Sequence, residues 1–256
     1  MHKTETVLVA KPSRLAFPEA AVDVLGDPLI GDFIHPQGGR HDANFRVLLI
    51  APSEAVCNSV QLGTPTRTYI ITGSNMSGKS TFLRMTGCNL VMAQIGSAVP
   101  ARRMRLTPMR LMTDLRIRDD LSRHESYFLA EVRQVKRMVE ATARNEPILA
   151  LIDEPFRGTN SAERVAAAVA VVRSLTRSGG LHMVATHDEA LTALADDNHV
   201  RNYHFAEKID SEALVFDYQI HDGPSRTRNA LRVLELEAYP KQLIEEATKL
   251  AQELSA

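Results

Sequence analysis

TYIITGSNMSGKST, Thr68 to Thr81, decides the fold. It opens on a short apolar, β-branched run, Tyr69-Ile70-Ile71, and runs into a segment of helical periodicity from Phe82-Leu83 onward. Between them Gly73, Ser74, Asn75, Met76, Ser77, Gly78, Lys79 and Ser80 fit G-x-x-x-x-G-K-[ST], the phosphate-loop pattern. A strand before it and a helix after it are the context that gives this pattern meaning. A triphosphate is densely anionic and needs many donors at close range. Gly73 and Gly78 let the backbone turn and approach without a Cβ in the way. Successive N–H groups, through Thr81 in the first helical turn, then form an anion nest with the positive end of the helix behind it. Lys79 would contact the β- and γ-phosphates, and the Ser80 hydroxyl would be a ligand for Mg²⁺, a hard, oxygen-seeking ion.

Two further apolar runs end in chemistry. Ile148 to Ile152 is continuous, as in a central strand of a parallel sheet, and stops at Asp153-Glu154-Pro155. Asp153 would hold Mg²⁺, directly or through water, and Glu154 would orient and deprotonate an attacking water. Leu181 to Ala185 is a second buried strand, ending in Thr186-His187-Asp188. His187 could sense or polarise the γ-phosphate or the water, while Thr186 or Asp188 caps a helix over Glu189 to Ala195. The three strand ends should converge on the carboxyl edge of one sheet, where open α/β sheets bind ligands.

The predicted class is α/β: a phosphate-loop NTPase, its mostly parallel central sheet flanked by helices and finished by an edge β-hairpin over Asn202–Ala206 and Leu214–Ile220. The 256 residues suffice for one large domain. A net charge of −1 offers no overall pull toward nucleic acid or anionic membrane. Cys57 and Cys88 show no metal or redox spacing and read as small apolar residues of a reducing compartment, so a cytoplasmic protein is expected. No apolar run has spanning length and no membrane partner is expected.

Residues 1–45, punctuated by Pro12, Pro18, Pro28 and Pro36, form an ill-defined lead-in. Residues 46–235 form the domain, and 236–256 a C-terminal helix that docks on the domain or on a second copy. FRVLLI (45–50) is a candidate strand. Other expected helices cover 82–95, 125–144 and 161–177. Gly87 within the first marks close packing, and Gly179-Gly180 stops the last. His35 and His41, in turns, read as surface residues. Ser126 lies at a helix start, where a serine can reach an anion.

Together GSNMSGKSTFLR (73–84), MAQIGSAVPA (92–101), SYFLAEV (126–132), LIDEPFRGTNSAER (151–164), ATHDEAL (185–191) and GPSRTRNAL (223–231) resemble the ATPase domain of the MutS family, DNA mismatch-repair ATPases related to the ABC ATPases. The resemblance covers about 55 to 245. It implies Mg²⁺-dependent ATP hydrolysis by a homodimer that closes head to tail across two nucleotides. Ser126 matches the signature serine that reaches the partner's γ-phosphate. Gly158 to Ser161 match a loop at the dimer interface, and His187 the switch histidine. Gln94, within MAQIGSAVPA, joins the nucleotide-binding set. Asn58 matches an asparagine of the adenine-side segment, although Ala55 stands where the family usually carries an aromatic. The family's histidine-proline is met only by Asp27-Pro28 or His35-Pro36, neither at the right spacing. Clamp, lever and mismatch-reading segments have no counterpart in residues 1–45, so a fragment or a reduced member is expected, with DNA contacted through segments absent here. The readings left beside this one are a nucleotide-dependent dimerisation module with little turnover, another ABC-type ATPase, and, more remotely, a small-molecule kinase.

Overall fold

The computed structural model describes residues 6–7, 23–25, 44–45, 55–101, 103–115, 127–157, 160–210, 213–225 and 230–253. Residues 46–50 of the candidate strand at 45–50, residues 116–124, both lead-in histidines and the two candidate proline dipeptides lie outside them. Short strands β1 (Thr6–Val7) and β2 (Asp23–Leu25) pair with each other. Likewise β3 (Asn44–Phe45) pairs with β4 (Asn58–Ser59). Then follow β5 (Thr68–Thr72), α1 (Lys79–Gln94), β6 (Arg103–Met104), which pairs with β2, and β7 (Arg110–Asp114). Next come α2 (Tyr127–Ala143), β8 (Ile148–Asp153), α3 (Ser161–Arg177) and β9 (Leu181–Ala185). The chain closes with α4 (Glu189–Thr192), a 3-10 turn at Ala193–Asp196, β10 (Val200–Asp210), β11 (Ala213–Asp222), α5 (Ala230–Leu236) and α6 (Lys241–Glu253).

The central sheet has the order β11-β10-β5-β9-β8-β7. All its pairings are parallel except the β10–β11 hairpin. This is an α/β fold with a mostly parallel sheet between helices. The period-2 alternation of buried strands divides the core. Tyr69, Ile71, Leu149, Leu151, Met183 and Ala185 face α1 and its Leu83 and Leu90. Ile70, Ile148, Ala150, Ile152 and Val184 face Val135 and Met138 of α2 and Ala168, Val172 and Leu175 of α3. Gly87 is where α1 meets the sheet. A Cβ there would stand 3.0 Å from Leu151 Cδ1 and 3.3 Å from Leu111 Cδ2, so the helix owes its close seat to the missing side chain.

Three elements differ from expectation. The hairpin is longer, and only β11 is an edge; β10 is flanked by β5 on its other side. The helix expected over Glu189 to Ala195 is α-helical only to Thr192 and tightens there into the 3-10 turn, with the Thr192 carbonyl also accepting from Asn202 Nδ2 at 2.8 Å. On α6, Leu243 and Leu250 are exposed, since the helix packs on α5 and leaves part of its apolar stripe to solvent. Among the described residues no helix is long and apolar enough to cross a membrane.

A buried polar cluster ties α3 to two strands. Thr68 Oγ1 lies 2.8 Å from Thr176 Oγ1 and 3.2 Å from His182 Nδ1. Burial, then the charge of Arg67, lowers the His182 pKa from 6.5 to about 4. The unfolded chain therefore binds the proton first. Stability should fall as pH drops from about 6.5 toward about 4, by roughly 1.4 kcal/mol per unit. Urea titrations of wild type and His182→Gln at stepped pH should show this slope vanish in the variant.

Candidate functional site

Parallel pairing brings three turns side by side. β9 lies between β5 and β8, so the turns after Thr72, Asp153 and Ala185 open on one edge. The Glu154 N–H continues the ladder by donating to Ala185 O at 2.8 Å. The Thr186 N–H donates to Ile71 O at 3.0 Å.

The 73–78 loop needs its glycines. Gly73 has φ +142°, and a Cβ there would be 2.8 Å from both Phe205 O and Ser77 Oγ. Gly78 has φ +112° and leads into α1, whose N-terminus no side chain caps and whose first turn holds no acid. That end therefore presents backbone donors and a positive partial charge. Met76, at φ +70°, is exposed on the loop. Ser74 Oγ donates to the Glu207 carboxylate of β10.

Behind the loop the polar groups are closely matched. Lys79 Nζ donates to Gly73 O at 2.6 Å and Ser74 O at 2.8 Å, and lies 3.9 Å from Glu154 Oε1. Ser80 Oγ donates to Asp153 Oδ2 at 2.6 Å. The other oxygen, Asp153 Oδ1, is buried with no hydrogen-bond partner among the described residues. A buried carboxylate oxygen left open costs free energy unless a cation or donor completes it. With a serine hydroxyl on its other oxygen, this hard-oxygen pair suits Mg²⁺.

Glu154 is 2% exposed and sits at φ +59°. His187 holds its Oε2, the ring Nδ1 at 2.6 Å and the backbone N–H at 3.2 Å. Arg157 pairs with Oε1 at 3.0 Å. Neither residue expected to cap α4 does so with its side chain. Thr186 Oγ1 accepts from the Asp188 N–H at 3.0 Å, whereas the Asp188 carboxylate caps nothing and forms a two-pronged pair with Arg164 of α3, at 2.8 and 3.0 Å. A cavity of about 760 Å³ opens over the loop, within the usual range for small-molecule sites. Its polar wall includes Ser74, Asn75, Lys79, Ser80, Thr81 and Glu154. Its apolar wall includes Ala55, Val56, Phe205 and Tyr218.

A family profile described as MutS domain V matches residues 69–255. The chain belongs to the MutS family. It is 35% identical over 231 residues to the DNA mismatch repair protein MutS of Thermus thermophilus, covering 90% of this chain and 27% of that protein. The MutS of Thermus aquaticus is 34% identical over 230 residues, with the same coverage. That of Lactobacillus acidophilus is 35% identical over 222 residues, covering 85% and 25%. The chain thus spans about a quarter of the length of the curated relatives it matches.

In this MutS-family chain the remaining candidate residues fall differently. Asn58 borders the cavity, but its amide is engaged by β11: Nδ2 donates to Tyr218 O at 2.9 Å, and Oδ1 accepts from the Ile220 N–H at 2.7 Å. Gln94 is at the far end of α1, roughly 22 Å along the helix from Lys79, and its Oε1 accepts from the Met109 N–H at 2.6 Å. Ser126, Gly158 and Thr159 lie outside the described residues; Asn160 caps α3 through Ala162 N–H at 3.0 Å.

Sequence reasoning passed over four site residues. Tyr218, 47% exposed, is an aromatic on the apolar wall beside Phe205, where Ala55 offers none. Alternation marked its strand but not that this strand returns over the loop. Arg157 carries no signal of its own in the stretch after Pro155. Glu131, on α2, is buried and accepts from the Phe156 N–H. Asp114 ends β7 as Asp153 ends β8, so the signal of an acid closing a buried strand was present twice.

Burial, then the nearby Glu131 and Asp153 carboxylates, raises the Asp114 pKa from 3.8 to about 7. The folded state holds this proton and the unfolded state releases it. Stability should therefore fall as pH rises from about 4 to about 7, opposite in sign to His182. In chelator, Asp114→Asn should be more stable than wild type at pH 8 and closer to it at pH 4. Paired urea curves at the two pH values check this.

Proposed function

We propose that this domain is a phosphate-loop ATPase that binds Mg²⁺–ATP in the cavity over the 73–81 loop. Hydrolysis uses Glu154 as general base, and the nucleotide drives head-to-tail pairing with a second copy. Residues 46–235 constitute the catalytic unit and 236–256 its C-terminal appendage. The observation that carries this is the open, buried Asp153 Oδ1 beside the Ser80 hydroxyl, with Lys79 and Glu154 facing the same cavity. Membership in a family whose relatives are named for DNA mismatch repair supports it.

Ser80 and Asp153 would hold the Mg²⁺, which when bound would neutralise charge on the phosphate oxygens. The uncapped start of α1 and the loop amides bind phosphate oxygens. Lys79 turns from the Gly73 and Ser74 carbonyls toward the same anion. Glu154 Oε1, held by Arg157 as an ion pair at 3.0 Å but in no hydrogen bond among the described residues, takes the proton of the attacking water. His187 fixes Oε2, and so orients the carboxylate. Asn58 holds the edge strand over the base side, where the Tyr218 ring provides a stacking face. Ser126 would complete the partner's site. In the whole protein, contact with DNA would come through regions that the relatives carry beyond this domain, and action in mismatch repair follows from that.

Glu154→Gln should bind ATP as wild type does and lose roughly 10²-fold or more in turnover. Lys79→Ala should weaken binding itself. Nucleotide titration and steady-state hydrolysis separate the two, and undiminished turnover in Glu154→Gln would remove it from the base role. Sedimentation of Glu154→Gln with Mg²⁺–ATP should show a dimer that Ser126→Ala abolishes; a monomer throughout would contradict the head-to-tail reading.

A further inference from the structure

The turn that carries Glu154 is backbone-strained. Glu154 and Phe156, on either side of Pro155, have φ of +59° and +62°. Side-chain-bearing residues hold such values only where surroundings over-determine them. Two contacts from α2 do so here. The Glu131 carboxylate accepts from the buried Phe156 N–H, and the Phe128 ring packs edge-on against the Phe156 ring at 6.5 Å between centroids. Glu131 is itself 5% exposed, and its second oxygen has no hydrogen-bond partner among the described residues. A buried carboxylate half-satisfied in this way is costly on its own. Its place is explained by the one backbone donor it meets, since loss of that acceptor would leave a buried N–H unpaired at a strained residue.

We propose that Glu131 is a positioning residue for the reaction assigned above. Through the Phe156 N–H it fixes the 154–156 turn, and thereby the Glu154 carboxylate, relative to α2. The inference rests on the proposed ATPase role of Glu154. It makes α2 the mechanical link to the base: Tyr127 opens the helix and Glu131 stands about one turn further on. Movement at the start of α2, where Ser126 precedes it, is transmitted to Glu154 over that single turn. Burial raises the Glu131 pKa, while the Phe156 hydrogen bond and then the charge of Arg157, itself paired with Glu154 Oε1, act to lower it.

The test separates the reach of the acceptor from its charge. Glu131→Gln keeps an oxygen at the same reach and removes the charge. Glu131→Asp keeps the charge and withdraws the oxygen by one methylene. The Gln variant should stay within about threefold of wild type in kcat for Mg²⁺–ATP. The Asp variant, and Glu131→Ala where it folds, should lose on the order of 10²-fold in kcat with KM little changed, as displacement of a catalytic group by about 1 Å predicts. In nucleotide-free protein, the Phe156 amide should be protected from hydrogen exchange in wild type and Gln and should exchange faster in Asp. Full turnover in the Asp variant, loss in Gln equal to that in Asp, or a Phe156 amide equally protected in all three would each overturn the proposal. If wild type hydrolyses no ATP, the ATPase reading fails, and the exchange measurement still decides whether Glu131 fixes the turn.

Discussion

A carboxylate at the end of a buried strand has to be compensated, and the geometry of this site follows from how Glu154 is compensated. Its two oxygens draw on groups from three places: His187 after β9, Arg157 from its own turn, and Lys79 at the head of α1. Each could be elsewhere if the sheet order differed. With β9 between β5 and β8, the three converge within a few ångströms. Truncating one partner of such a cluster leaves a buried charge exposed to the full desolvation penalty, which ties the local fold to the chemistry.

The same logic organises the surrounding layer. Ser80 and Asp153 share one hydrogen bond and leave one oxygen open. Asp114 and Glu131 add two more buried acids next to Asp153. So many carboxylates in one low-dielectric region favour protonation of at least one of them, and Asp114 is the one whose pKa rises to about 7. His182, near the start of β9, responds to burial with the opposite sign, so the two groups offset each other in mildly acidic solution.

Much of this was legible in the chain. The runs 68–72, 148–153 and 181–185 are apolar enough to be read as buried strands, and the residues that follow them are unlike ordinary turn residues. Gly87 was legible as a packing residue because glycine costs helix stability and needs a reason. What sequence did not yield depends on long-range placement. Nothing local says that β11 folds back over the loop, so Tyr218 looked like one residue in an alternating strand. Nothing local says that Glu131 faces inward, since an acid on an amphipathic helix is ordinarily solvated. Asn58 and Gln94 sit in stretches that match the family, but their amides are engaged by backbone partners 162 and 15 positions away.

The Asn58 amide has a consequence of a different kind. An edge strand offers a row of unmet donors and acceptors that a foreign strand can join, a common start to aggregation. Asn58 takes up the Tyr218 carbonyl and the Ile220 N–H of β11, one of each, as a neighbouring strand would. A single side chain from β4 thus stands in for a missing ladder rung. The wall of the cavity and the solubility of the sheet's border are thereby secured by the same group.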